Sequence, residues 1–179
     1  MKTRTVTLSS GESFSVAQCI QRLDSKSTCG WQVRYQGTKY YSDKDLGPQK
    51  ALETATRELL RRIATMPAPV SLRRVPNVSK ASALPAGISG PILVGKPGSE
   101  ALSAVLSVAI PRFGKTNLTK KVHIGTPSTY TRTRYRQALA KAVDIREAGM
   151  AQYEAAATRA KRAEAAAFKK ALRSAASGA

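Results

Sequence analysis

The chain has little of what most enzyme chemistry requires. Its 179 residues include one histidine, His123, and two cysteines, Cys19 and Cys29. A single histidine excludes hydrolases built on metal-binding histidine pairs and nucleases that use several. A Ser-His-Asp triad would have to recruit His123, and the sequence contains no nucleophile-elbow motif. The cysteines fall short of the four ligands of a structural zinc site and read as a reduced pair used in packing. The stretch "VGKPGSE", residues 94–100, has a Gly-Lys pair but not the spacing of a phosphate-cradling loop. No run approaches the ~20 apolar residues of a membrane span. The start, "MKTRTVTLSS", lacks the apolar core of a secretory signal. The expectation is a non-catalytic protein of the cytoplasm, without metal, small-molecule cofactor or membrane contact.

Acidic residues are also scarce, 11 against 30 Lys plus Arg, which leaves a formal charge of +19. Such an excess costs self-repulsion in the folded state. A polyanionic partner is the commonest reason to carry it, because each neutralised phosphate releases condensed counterions. Nucleic acid is therefore the first partner to consider.

Periodicity divides the chain. "TVTL" and "SFSV" alternate around the turn chemistry of "SSGE" and predict a hairpin. "CIQRLDS" predicts a strand with Arg22 open to solvent. In "GWQVRYQG", Trp31, Val33 and Tyr35 share one side of a strand, while Gln32, Arg34 and Gln36 share the other. A turn at Gln36-Gly37 leads to a return strand over Thr38–Ser42, where one of Tyr40 and Tyr41 is core and the other exposed. The spacing of Leu52, Ala55, Leu59, Leu60 and Ile63 then predicts a helix from Pro48 to Thr65.

"PAPVSLRRVPNVSKASALPA", residues 67–86, reads as an extended, semi-stiff linker carrying Arg73, Arg74 and Lys80. After it the order repeats. "AGISGPILVG", "AVLSVAIPRFG" and "TKKVHIGT" offer three strands, and a helix follows with Ser128 or Thr129 as N-cap. Residues 151–179 are rich in alanine and basic side chains, with high helix propensity and little to bury. They read equally as a solvated tail or as a basic helix lying along phosphates.

The stretch "CIQRLDSKSTCGWQVRYQGTKYYSDKDLGPQKALETATREL" resembles the Apetala-two/ethylene-response-factor, integrase-type DNA-binding domain in its bacterial, phage and mobile-element form. Residues 87–148 resemble a second, diverged copy. The resemblance implies an α+β fold of two small modules, each a three-stranded antiparallel sheet packed on one helix, with a C-terminal basic Ala-rich helical extension. The implied organisation is a first module with an N-terminal hairpin at 1–66, a basic linker at 67–86, a second module at 87–150 and a tail at 151–179.

It further implies that the sheet's outer face enters the major groove of double-stranded DNA. The family's contact positions fall on Arg22 of the first strand with Lys26 beyond it, Gln32, Arg34 and Gln36 of the second, and Lys39 or Tyr40 of the third. In the second copy the outward positions fall on Ser107, Ala109 and Pro111, none of them basic. Its cations Arg112, Lys115, Lys120 and Lys121 suit phosphate contact, and His123 is an exposed strand residue or a weak phosphate donor. Arg73 and Arg74 of the linker are candidates for minor-groove contact. The expected function is that of a regulator or architectural factor of bacterial or phage origin. An RNA-binding or ribosome-associated protein, or a protein-interaction adaptor, is the alternative.

Overall fold

A computed structural model describes residues 1–44, 47–80, 82–95 and 102–177. The Lys96 to Glu100 part of "VGKPGSE" lies outside the described residues, as does Ala81 of the expected linker. The class is α+β, with three small antiparallel sheets and two helices among the described residues.

Alternation of threonine with apolar residues forms β1 (Thr3–Thr7) and β2 (Ser13–Ala17), paired from Thr3↔Ala17 to Thr7↔Ser13. Next come β3 (Ile20–Asp24), β4 (Cys29–Arg34) and β5 (Thr38–Ser42), in sheet order β3-β4-β5. Helix α1 runs over Gly47–Thr65 and buries Ala51, Leu52, Ala55, Leu59 and Ile63, the helical spacing that the sequence displays. These side chains meet Val16, Ala17, Ile20, Trp31, Val33 and Tyr35 in one core. Trp31 is fully buried, and its indole Nε1 donates to the Pro48 carbonyl at 2.8 Å, tying β4 to the first turn of α1. Phe14 meets the same indole edge-on at 5.9 Å, a favourable aromatic geometry that fixes the hairpin to the sheet.

The second core is built from β6 (Ile88–Gly95), β7 (Leu102–Arg112), β8 (Lys115–Gly125) and α2 (Arg132–Ser177). The order is β6-β7-β8. Leu106, Val108, Val122 and Ile124 pack with Ala138 and Ala142 of the helix. Strand β8 begins at Lys115, earlier than "TKKVHIGT" suggests, because Phe113-Gly114 makes a tight turn and the two strands pair up to Arg112↔Lys115. The N-cap of α2 is Thr131, whose Oγ1 accepts from the Arg134 N–H at 3.2 Å. Thr129, expected in that role, instead accepts from the Thr126 N–H at 2.9 Å in the preceding turn.

The chain divides into two compact units, residues 1–69 with 157–179, and residues 70–156. Two segments that read as unpacked are part of these units. Leu84 of the 67–86 segment is buried in the second core, and the Lys80 ammonium donates to the carbonyls of Leu84, Pro85 and Ile88 at 2.7 to 2.8 Å. In the Ala-rich segment, Ala165 is buried in the first core with Phe168 packed against it. The Thr158 hydroxyl accepts from the Ala68 N–H at 3.0 Å, and Arg162 Nε donates to the Ile63 carbonyl at 3.3 Å. This stretch therefore adds Ala165 and Phe168 to the first core, although its composition offers little to bury.

Candidate nucleic-acid interface

The register of the first sheet decides which side chains share its outer face. Gln32 stands between Gln21 and Tyr40, and Arg34 is opposite Thr38. Trp31, Val33 and Tyr35 point to the core, so Gln32 and Arg34 face away from it, as the alternation predicts. Arg34 is exposed, and its Nε donates to Gln32 Oε1 at 2.6 Å, which orients the guanidinium along the strand. Tyr40, 37% exposed, is the outward member of the tyrosine pair, while Tyr41 packs on the core. Its ring lies over Gly30, where an added Cβ would come within 2.6 Å of the Tyr40 hydroxyl and 2.2 Å of the Tyr41 carbonyl. The hydroxyl donates to the Cys29 carbonyl at 2.7 Å, so the ring is held flat on the sheet.

Three of the family-derived positions fall elsewhere. Arg22 is opposite Trp31, on the helix side of the sheet, with its guanidinium 5.1 Å from the centre of the indole and Nη1 on Asp43 Oδ2 at 2.5 Å. The sequence suggested a solvent-facing Arg22, but strict alternation places it with Ile20 and puts Leu23 on the outer face. Lys39 is opposite Val33 and therefore also off the Arg34 side; its Nζ lies 5.4 Å from the centre of the Tyr41 ring. Gln36 occupies the turn with φ 49°, followed by Gly37 at 101°, and its Nε2 donates to the Pro67 carbonyl at 3.2 Å. Lys26 is exposed in the β3–β4 connection.

The turn beyond Arg34 is pinned from behind by a residue that periodicity alone did not single out. Arg62 is 8% exposed, and its Nη1 donates to the carbonyls of Tyr35 and Gly37, both at 3.1 Å. Its Nε donates to Glu58 Oε1 at 2.8 Å, while Arg61 donates to both carboxylate oxygens, Nε to Oε2 and Nη2 to Oε1, each at 2.8 Å. Hydrogen bonds from Arg61 and then Arg62 pull the Glu58 carboxyl down to about 2. A basic residue on the buried face of α1 is the sequence signal for such a link, since an arginine there needs acceptors.

In the second sheet Ser107 and Ala109 share a side with Lys121 and Thr119, and His123 is opposite Val105. Pro111 leaves that row. A register shift between Ile110 and Arg112 turns it inward, where it is buried beside α2: a side chain added at Gly149 would collide with Ile110 and touch Pro111. Lys120 is opposite Val108, so the neighbours Lys120 and Lys121 leave β8 on opposite sides, both exposed. Arg112 donates to the Thr116 carbonyl at 2.9 Å across the hairpin end, and Lys115 is exposed there. Arg73 lines a hollow with Lys80, Ser107 and Ala109, so the preceding segment adds a cation to the side of the sheet that carries Lys121. Arg74 pairs with Glu154.

Both cysteines are free thiols. Burial raises the Cys19 thiol, and a hydrogen bond to Asp24 raises Cys29, so neither is an activated nucleophile. Among the described residues, no group of three or more His, Cys, Asp or Glu side chains forms a metal cluster, and no helix is long and apolar enough to cross a membrane. No family model, curated protein or solved structure matches the chain.

Proposed function

We propose that this chain is a double-stranded DNA-binding protein, a regulator or architectural factor of bacterial or phage origin, whose first sheet enters the major groove. The observation that carries this reading is the two-sidedness of β4. Its inward side chains hold a core on α1, while Gln32 and Arg34 stand on a supported outer face, in a chain of charge +19. Arginine on a β-sheet face has the reach and the paired donors to meet guanine O6 and N7. Each core joins a three-stranded antiparallel sheet to a helix, which supports reading the second unit as a diverged copy of the first. Its outer row of Ser107, Ala109 and Lys121 suits phosphate anchoring better than base reading. The protein acts by occupancy, without catalysis, and two weak modules on one chain gain affinity through effective concentration.

Selection of bound sequences from random duplexes tests this. A two-part consensus indicates two reading modules, a one-part consensus one, and no consensus an architectural role. One observation favours RNA as a second reading: Tyr40 offers an aromatic surface on the same sheet face, of the kind on which unpaired bases stack. Competition at matched salt separates the two, and a preference for structured RNA over duplex DNA would overturn the DNA reading.

A further inference from the structure

We propose that the N-terminal hairpin β1–β2 forms a phosphate clamp, in which Lys2 and Arg4 hold the DNA backbone beside the base pairs met by Arg34. This rests on the DNA-binding reading above. The hairpin is firmly placed: Val16 and Ala17 are buried, Phe14 meets Trp31, and the Gln18 N–H donates to the Lys2 carbonyl at 3.0 Å. The Arg34 N–H donates to the Cys19 carbonyl at 2.7 Å, bringing the recognition strand up to the end of the hairpin. As a result Lys2, Arg4, Gln18, Gln21 and Arg34 line one hollow of about 400 Å³. Among the described residues no carboxylate lines it, so its three cations are uncompensated. Arg4 Nη2 donates to the Ile20 carbonyl at 3.2 Å, which fixes the guanidinium while leaving most of its five N–H donors for a ligand.

The position of the hollow selects the backbone as its occupant. Three strands spaced ~4.8 Å apart make a face about 10 Å across, close to the ~12 Å width of the major groove. The groove walls, which carry the phosphates, then run past the edge strands. The hollow lies at edge strand β3, around Cys19, Ile20 and Gln21. A phosphate there meets Lys2 and Arg4 while Arg34 remains directed at base edges.

The test is equilibrium binding of the parent chain, Lys2→Ala/Arg4→Ala and Arg34→Ala to duplexes of several sequences, between ~50 and ~200 mM salt. Each phosphate contact contributes about 0.9 to the slope of log affinity against log salt, so the double variant is expected to flatten the slope by about 2. Its affinity then falls roughly tenfold less than the parent's over this range, with the ranking of sequences preserved. An unchanged slope overturns the clamp; if Arg34→Ala still relaxes the ranking, the DNA reading survives. A parent chain with no salt-dependent duplex affinity overturns both. Arg4→Lys keeps the charge and should keep the parent's slope. If it flattens the slope as much as the single variant Arg4→Ala measured beside it, hairpin packing is responsible and the clamp is wrong.

Discussion

Arg34 combines exposure, a fixed direction and freedom from acidic neighbours on its strand, and these make it the first residue to alter. Arg34→Ala is expected to relax preference at one base pair and to cost about 1–3 kcal/mol of specific affinity, measured against a panel of single-base variants. Unchanged affinity and ranking would remove β4 as the reading strand. Arg22 shows how the same residue type serves structure instead: between Asp43 and the Trp31 ring, it is only 12% exposed along its side chain. Tyr35 carries the opposite defect, a buried hydroxyl with no hydrogen-bond partner among the described residues. An unmet buried hydroxyl costs about 1–3 kcal/mol, so Tyr35→Phe should leave stability equal or raise it by about 1 kcal/mol in chemical denaturation.

At the level of elements, α1 is the support of the β4–β5 hairpin, through the Trp31 bond to Pro48 at one end and the Arg62 bonds to Tyr35 and Gly37 at the other. Glu58 holds Arg62 in that position. Its carboxyl sits at about 2 in the folded chain against an ordinary 4.5, so the folded state binds its proton less readily than the unfolded state does. The stabilisation is therefore fully present above pH ~4.5 and is lost as pH falls towards 2. Glu58→Gln should lower the melting temperature at neutral pH, and the difference from the parent should shrink steadily below pH ~4.5. A constant difference across that range would show that the charge of Glu58 is not the stabilising feature. Helix α2 is the contrasting element: its residues 157–177 join the first unit, adding Ala165 and Phe168 to that core.

For the whole molecule, the consequence is that the basic C-terminal segment is structural as well as charged. Removing residues 157–179 should destabilise the first unit by on the order of 3 kcal/mol, through the lost burial of Ala165 and Phe168 against its core. Amide hydrogen exchange within α1 reads this directly; protection equal to that of the full chain would show that the segment contributes charge alone. Charge itself should act globally. Replacing Lys121 and Lys115 together is expected to weaken all duplex sequences alike and flatten the salt dependence, in contrast to the sequence-selective loss at Arg34.

The amino-acid sequence alone determined the α+β class, the positions of α1, β4 and β5, and the division of β4 into a core side and an outer side. Each of these is a local periodicity of apolar side chains, and burial enforces it. Tertiary structure decided which cations share a surface. Arg22 faces inward because its strand alternates in phase with Ile20, Pro111 turns inward at an irregularity in β7, and Lys120 and Lys121 part company across β8. Arg62 binds carbonyls of Tyr35 and Gly37 that only the folded chain brings near it. The meeting of Lys2 and Arg4 with Arg34 depends on two hairpins packing together across some thirty residues of chain. Charge carries no periodicity of its own, so a count of +19 gives the balance of cations, and only the packed backbone says which of them stand together on one surface.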